Sequence, residues 1–203
     1  MQLDERRQQL LDLGLRLFSE RAYDDVSIDD IARAAGISKG LLYHYFPGKR
    51  VFYVATVRAA ASLLLSRITP DEATRGETTA PERARRGLSE YLSFVENRAG
   101  AYRALFSGGT GIDEEVATIL EETRQTIINQ ILFRGLGLES PRAAFRLAAR
   151  SWIGAVEAAC LDWLTQRDLE RADLLSMLSQ MLIAAMSIAM KMDPDARTAW
   201  SEP

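Results

Sequence analysis

Apolar positions recur every three or four residues along almost the whole chain, and nowhere do they alternate with period two over a strand's length. That pattern predicts helices throughout. Leu10, Leu11, Leu15, Leu17 and Phe18 form one stripe and predict a first helix over roughly residues 4–21. Ile28, Ile31, Ala32 and Ala35 form a shorter one. Ser27 is its N-cap, with Asp30 three positions on as a near capping box, and Gly36 ends it as a residue free to adopt the left-handed conformation. Ser38 caps the next helix, which Pro47-Gly48 terminates. Val51, Phe52, Val54, Val57 and Leu64 predict a long helix over residues 49–68.

Residues 69–80 are rich in Pro, Gly, Thr and Glu and read as a linker. Pro81 suits the first turn of a further helix, with Leu88, Tyr91, Leu92 and Val95 on its core face. Tyr102, Leu105 and Phe106 predict a short helix, broken by Gly108-Gly109-Thr110-Gly111. That glycine run lacks both the Gly-Lys-Ser/Thr and the preceding strand of a phosphate loop. A helix over 113–133 follows, ended by Gly135 and Gly137. Ser140-Pro141 is expected to cap the next, to about Thr165. It carries Phe145, Trp152, Val156 and Trp163 on one face and Leu147, Gly154, Ala158 and Leu161 on the other, with Arg142, Arg146, Arg150 and Glu157 between them. A helix apolar on two sides must pack on two sides. The last helix, over 169–190, is apolar nearly all round after Gln180.

Composition narrows the picture. The chain has 203 residues, 47% of them apolar, enough for a sizeable core. The net charge of −3 argues against a strongly basic nucleic-acid binder. Its distribution is uneven: residues 1–68 hold 10 Lys/Arg against 8 Asp/Glu, whereas 69–203 hold 15 against 20. Cys160 is the only cysteine, so an internal disulfide and a cysteine-rich zinc site are excluded, which suits the cytoplasm. The N-terminus lacks the apolar stretch of a signal peptide. The one membrane candidate, 174–192, is interrupted by Ser176, Ser179, Gln180, Ser187 and Lys191 and reads as a buried helix.

Two helices of about two turns, joined by a short glycine turn, describe a helix-turn-helix. Within it, the run Ile31-Ala32-Arg33-Ala34-Ala35-Gly36-Ile37-Ser38, continued by Tyr43-His44-Tyr45-Phe46-Pro47-Gly48-Lys49, resembles the DNA-binding signature of tetracycline-repressor (TetR)-like regulators. The resemblance covers roughly the first third of the chain. It implies an all-α protein: an N-terminal three-helix helix-turn-helix bundle, residues 1–48, joined by the linking helix 49–68 to a C-terminal ligand-sensing and dimerisation bundle, residues 49–203 in all. It also implies a cytoplasmic transcriptional regulator, a ligand-responsive repressor that binds a palindromic double-stranded DNA operator as a homodimer. The alternative is a helical protein-binding scaffold.

The recognition surface is Ser38, Lys39, Gly40, Leu41, Tyr43, His44 and Tyr45. Lys39 can donate to guanine O6 or N7, Gly40 permits close approach, and Leu41 can meet a thymine methyl. Tyr43 and Lys49 resemble the family's phosphate-contacting positions, and Ser27, at another helix start, is placed to do the same. Leu42 and Phe46 are read as packing residues. Tyr91, Phe94, Tyr102, Phe106, Phe133, Trp152 and Trp163, with Asn129 as a polar group, are the candidate lining of a pocket for a small hydrophobic or aromatic effector. Gly154, Ala158, Leu161, Leu178, Met181, Leu182 and Ala185 are the candidate dimer interface. A lone His44 cannot build a multi-histidine metal site. No plausible Cys–His pair, no Gly-x-Ser-x-Gly and no metal-ligand spacing is present. Neither catalysis nor a cofactor or metal is expected.

Overall fold

The computed structural model describes residues 2–69, 78–106, 113–138, 140 and 142–193. The glycine run at 108–111, most of the 69–80 linker and Pro141 lie outside the described residues. Every regular element among the described residues is helical: α1 (Gln2–Glu20), a 3-10 turn (Tyr23–Asp25), α2 (Ile28–Ala35), α3 (Lys39–Tyr45), α4 (Lys49–Ile68), α5 (Ala80–Asn97), α6 (Ala99–Phe106), α7 (Glu114–Asn129), a π turn (Gln130–Gly135), α8 (Ala143–Gln166) and α9 (Arg171–Met192). The chain forms two compact units, Met1–Leu63 with Arg98–Leu120, and Leu64–Asn97 with Glu121–Pro203.

The core of the first unit is Leu10, Leu11 and Phe18 of α1, Val26, Ile31 and Ala32, Leu42, Phe46 and Phe52. Each contributes one side of an amphipathic stripe, so four short-range patterns converge on one cluster. A second cluster joins Val54 and Val57 of α4 to Val116 and Ile119 of α7. Close helix approach shapes this unit. A Cβ on Gly14 would lie 2.4 Å from Thr56 Oγ1 and 2.8 Å from the Phe52 ring, and one on Gly100 would lie 1.8 Å from the Ser19 carbonyl oxygen. Only glycine lets α1 meet α4 and α6 at these points.

In the second unit α8 and α9 form the most extensive helix pair, and α5 packs against α9. Phe145, Trp152, Val156 and Trp163 of α8 and Leu174, Leu178, Leu182 and Met186 of α9 are buried. Arg171 fixes the start of α9 on α5: Nε donates to Glu96 at 2.9 Å, and Nη2 donates to the Ser89 carbonyl and the Ser93 hydroxyl. The α4 and α9 helices are long and apolar enough to cross a membrane by length and composition alone. The buried positions of α9 recur at helical spacing on one face, which is the pattern of a packed helix.

Two boundaries differ from the sequence expectation. α8 starts at Ala143 with Arg142 at the N-cap, in extended conformation, rather than being capped at Ser140. The Arg142 guanidinium instead bonds the Asp193 carboxylate at 2.6 Å, beyond the end of α9. The helix expected over 113–133 becomes a π turn after Asn129, in which Leu136 N–H donates to the Ile131 carbonyl at 2.9 Å. Gly137, with φ 70°, closes it.

Candidate nucleic-acid interface

Local signals build the α2–turn–α3 unit. Ser27 Oγ accepts from Asp30 N–H at 3.1 Å while the Asp30 carboxylate accepts from Ser27 N–H at 3.0 Å, a complete capping box. These bonds, the Ser27 hydroxyl first, hold the Asp30 carboxyl below its ordinary range. Gly36 takes φ 63°, and the Gly36 and Ile37 amides donate back to Arg33 and Ala32, a Schellman ending. Ser38 Oγ then accepts from Leu41 N–H at 3.2 Å to start α3.

Leu42 and Phe46, 0% and 1% exposed, lock α3 into the core, as expected of packing residues. That leaves Ser38, Lys39, Gly40, Leu41, Tyr43 and His44 exposed on one short helix. Leu41 and Tyr43 rank among the exposed large apolar residues of the chain. A Cβ on Gly40 would find only Ser38 Oγ, at 3.9 Å, so nothing within the chain calls for glycine there. Tyr45 is half-buried, packed on the core cluster and edge-on to His44 at 5.6 Å between ring centroids.

Two candidate contacts already have partners inside the chain. Lys49 Nζ donates to the Tyr23 carbonyl at 2.9 Å and lies 4.1 Å from the centre of the Tyr23 ring. An ammonium has three donors, so this leaves two. Lys39 Nζ lies 2.5 Å from Asp29 Oδ1. Sequence reading missed both arrangements, since the partners lie 26 and ten positions away along the chain. At the other end of α2, Arg6 of α1 reaches the Ala35 carbonyl at 3.4 Å.

The profile described as bacterial regulatory proteins, tetR family, matches residues 10–56, and that of the tetracyclin repressor-like C-terminal domain matches residues 81–185. A solved tetR-family transcriptional regulator from Streptomyces coelicolor is 36% identical, with a TM-score of 0.85 over 95% of this chain and 85% of that one. This chain belongs to the tetR family of transcriptional regulators. Among curated relatives, the HTH-type transcriptional activator FasR of Mycolicibacterium smegmatis is 31% identical over 143 residues, 69% of this chain and 64% of the relative. The nucleoid occlusion factor SlmA of Haemophilus influenzae is 31% identical over 138 residues, 65% and 62% of the two chains. The chain thus spans just under two thirds of the length of these two relatives.

In this tetR-family chain the candidate effector residues are divided. Tyr102 and Phe106 belong to the first unit, where their rings stack 4.6 Å apart. Tyr91, Phe94, Trp152 and Trp163 belong to the second. Phe94 is buried and Tyr91 half-buried. Both indole N–H groups are satisfied internally, Trp152 by the Leu178 carbonyl at 2.9 Å and Trp163 by the Leu169 carbonyl at 2.7 Å. Asn129 and Phe133 are exposed, so they do not line an interior cavity of the single chain. A cleft bounded by Pro81, Leu88, Trp152, Ser179, Leu182 and Ile183 has a volume of about 10 Å³. That is room for about one water, where a small-molecule site needs roughly 300 Å³ or more. Glu157 bonds Arg124 at 2.7 Å, and Arg150 makes a two-pronged pair with Glu121 at 2.6 and 2.8 Å, so the polar stripe of α8 is an ion-pair network with α7.

The dimer candidates also divide. Leu178 and Leu182 are 0% and 2% exposed within one chain. They are core residues covered by α8, not free interface, and the expectation for them is corrected. Gly154, Ala158 and Met181 are exposed, Leu161 and Ala185 half-buried. Leu147, Ser151, Gly154, Ala158 and Leu161 follow one another at spacings of four and three, as do Met177, Met181, Ala184 and Ile188. Each is a heptad-like stripe of small and apolar residues facing outward. Among the described residues no group of His, Cys, Asp or Glu is gathered to hold a metal ion.

Proposed function

We propose that the chain is an operator-binding repressor that acts in the cytoplasm as a two-fold dimer and leaves DNA when a small apolar effector binds. The carrying observation is α3. Its inner side is sealed into the core by Leu42, while its outer side presents Lys39, Gly40, Leu41, Tyr43 and His44 together. Donors for guanine and phosphate, an apolar contact for thymine and a gap for close approach are the chemistry of major-groove reading. Residues 1–48 carry the recognition surface on this reading, with Lys49 at the start of the linking helix as a further phosphate donor, and 49–203 otherwise carry sensing and pairing.

Pairing is supported by the exposed stripes of α8 and α9. Gly154 has nothing within 4 Å of a built Cβ, so this mid-helix glycine gains nothing inside its own chain and costs it about 1 kcal/mol. A partner helix crossing closely at that point is what would make use of it. A single α3 buries too little surface for tight specific binding, and paired half-sites require paired readers.

The effector would enter the second unit beside Trp152, where α5, α8 and α9 bound the small cleft. An effector of ordinary size fits only a state in which α9 has shifted against α5. Its influence on DNA affinity is then limited to its preference for that state. The test is binding-site selection from genomic fragments with the purified chain. Enrichment of a palindrome, with the preference at one base pair per half-site relaxed in Lys39→Ala, supports the proposal; no enrichment over random DNA overturns it.

A further inference from the structure

The recognition helix carries one cation at its start, and that cation is not free. Lys39 is the first residue of α3, and its Nζ lies 2.5 Å from Oδ1 of Asp29, in the first turn of α2. Both side chains remain accessible, at 60% and 49% exposure. The neighbouring carboxylate is occupied elsewhere: Asp30 is held by Ser27, and also pairs with Arg33 at 3.2 Å and Arg21 at 3.5 Å. Asp29 is thus the carboxylate left to meet Lys39 at the start of the recognition helix.

We propose that Asp29 is a positioning residue for DNA recognition, which holds Lys39 toward a base edge and away from the phosphates. This rests on the reading of α3 as the groove-reading helix. A lysine ammonium is a point charge on a flexible stem, without the planar fork that lets arginine select a guanine by geometry alone. Left free on a surface facing DNA, it pairs with whichever phosphate is nearest, which adds affinity for every sequence and discriminates none. The Asp29 carboxylate changes this in two ways. It occupies one donor and fixes the direction of the stem, and its own negative charge repels phosphate oxygens. The net charge of the pair is zero, so attraction to random DNA falls, while a guanine O6 or N7 can still take a remaining Nζ donor. In water an exposed pair of this kind is worth little. At a DNA interface, where water is excluded, the same pair is stronger.

The experiment compares the wild-type chain with D29N, D29E, K39A and the D29N/K39A double variant. Thermal unfolding first establishes that each is folded. Site selection from random duplexes gives the base preference, and titration on a random duplex gives the salt dependence. With the pair removed in D29N, discrimination at one base pair per half-site should fall about fivefold or more. The salt slope on random DNA should steepen by about 0.9, one phosphate's worth. D29E should restore both. In the K39A background D29N should leave base discrimination unchanged, because Asp29 acts on it through Lys39, whereas a helix-stabilising role would persist there. A wild-type preference that D29N leaves intact, or a D29N effect on base discrimination that persists without Lys39, overturns the assignment of Asp29 alone. A wild-type chain that enriches no sequence overturns it together with the DNA-binding reading.

Discussion

Arg50 and Asp113 meet as a two-pronged ion pair, Nε to Oδ2 at 2.5 Å and Nη2 to Oδ1 at 2.8 Å, joining the first turn of α4 to the start of α7. Asp113 Oδ1 also accepts from Glu115 N–H at 3.0 Å, so one carboxylate both caps α7 and ties it to α4. The Arg50 hydrogen bonds hold the Asp113 carboxyl below the ordinary aspartate range. A carboxyl lowered in the folded state adds stability that is fully present above its unfolded value, roughly pH 4, and is lost as pH falls through the lower folded value. Asp113→Asn should therefore lower the unfolding midpoint at pH 7 and make a smaller difference near pH 2. Urea unfolding at the two pH values checks this; an equal deficit at both would show that the amide disturbs packing rather than removing the ion pair.

Gly40→Ala should separate stability from recognition. The added methyl meets only Ser38 Oγ at 3.9 Å, so the free protein should gain about 0.5–1 kcal/mol from the better helix former. The operator has to accommodate that methyl, and affinity should fall about tenfold, or ~1.4 kcal/mol. Calorimetry and a fluorescence-anisotropy titration on the selected operator measure the two opposite signs. Unchanged affinity would mean that α3 does not approach DNA closely at residue 40.

Lys49→Ala should affect fold and binding together. The bond to the Tyr23 carbonyl and the contact with the Tyr23 ring together suggest a stability loss of about 1–2 kcal/mol. Its two remaining donors are available to a phosphate, so the salt slope should drop by about one unit across all sequences. A stability loss with an unchanged slope would leave Lys49 a purely structural clamp on the Tyr23–Asp25 turn.

The exposed and buried members of α8 and α9 should respond differently to charge. Ala158→Arg and Met181→Glu, at exposed positions, should give folded monomers by sedimentation with weak operator binding. Leu182→Arg puts an unpaired cation at a 2% exposed position and should unfold the second unit, at a cost of about 4 kcal/mol or more. A wild-type chain that sediments as a monomer at micromolar concentration would remove the dimer from the proposal.

The sequence by itself determined what depends on neighbours within a turn or two. The Ser27 cap with Asp30, the Gly36 ending and the Ser38 cap are local hydrogen-bond and backbone requirements, and the structure places α2 and α3 between them. Helical period assigned α4, and assigned α8 two apolar faces, one buried at Phe145, Trp152, Val156 and Trp163 and one open at Leu147, Gly154 and Ala158. Periodicity cannot tell which apolar face its own chain will cover, because that depends on where a distant helix docks. Leu178 and Leu182 therefore read as candidate interface and proved to be core, while Met181 on the same helix stayed exposed. Tertiary structure alone decided the pairing of Lys39 with Asp29 and of Lys49 with Tyr23, and the seating of Arg171 between Glu96 and Ser89. It also decided the tight crossings at Gly14 and Gly100. Each of these depends on side chains meeting through space, and the one-dimensional pattern carries spacing along a helix, not the distance between helices.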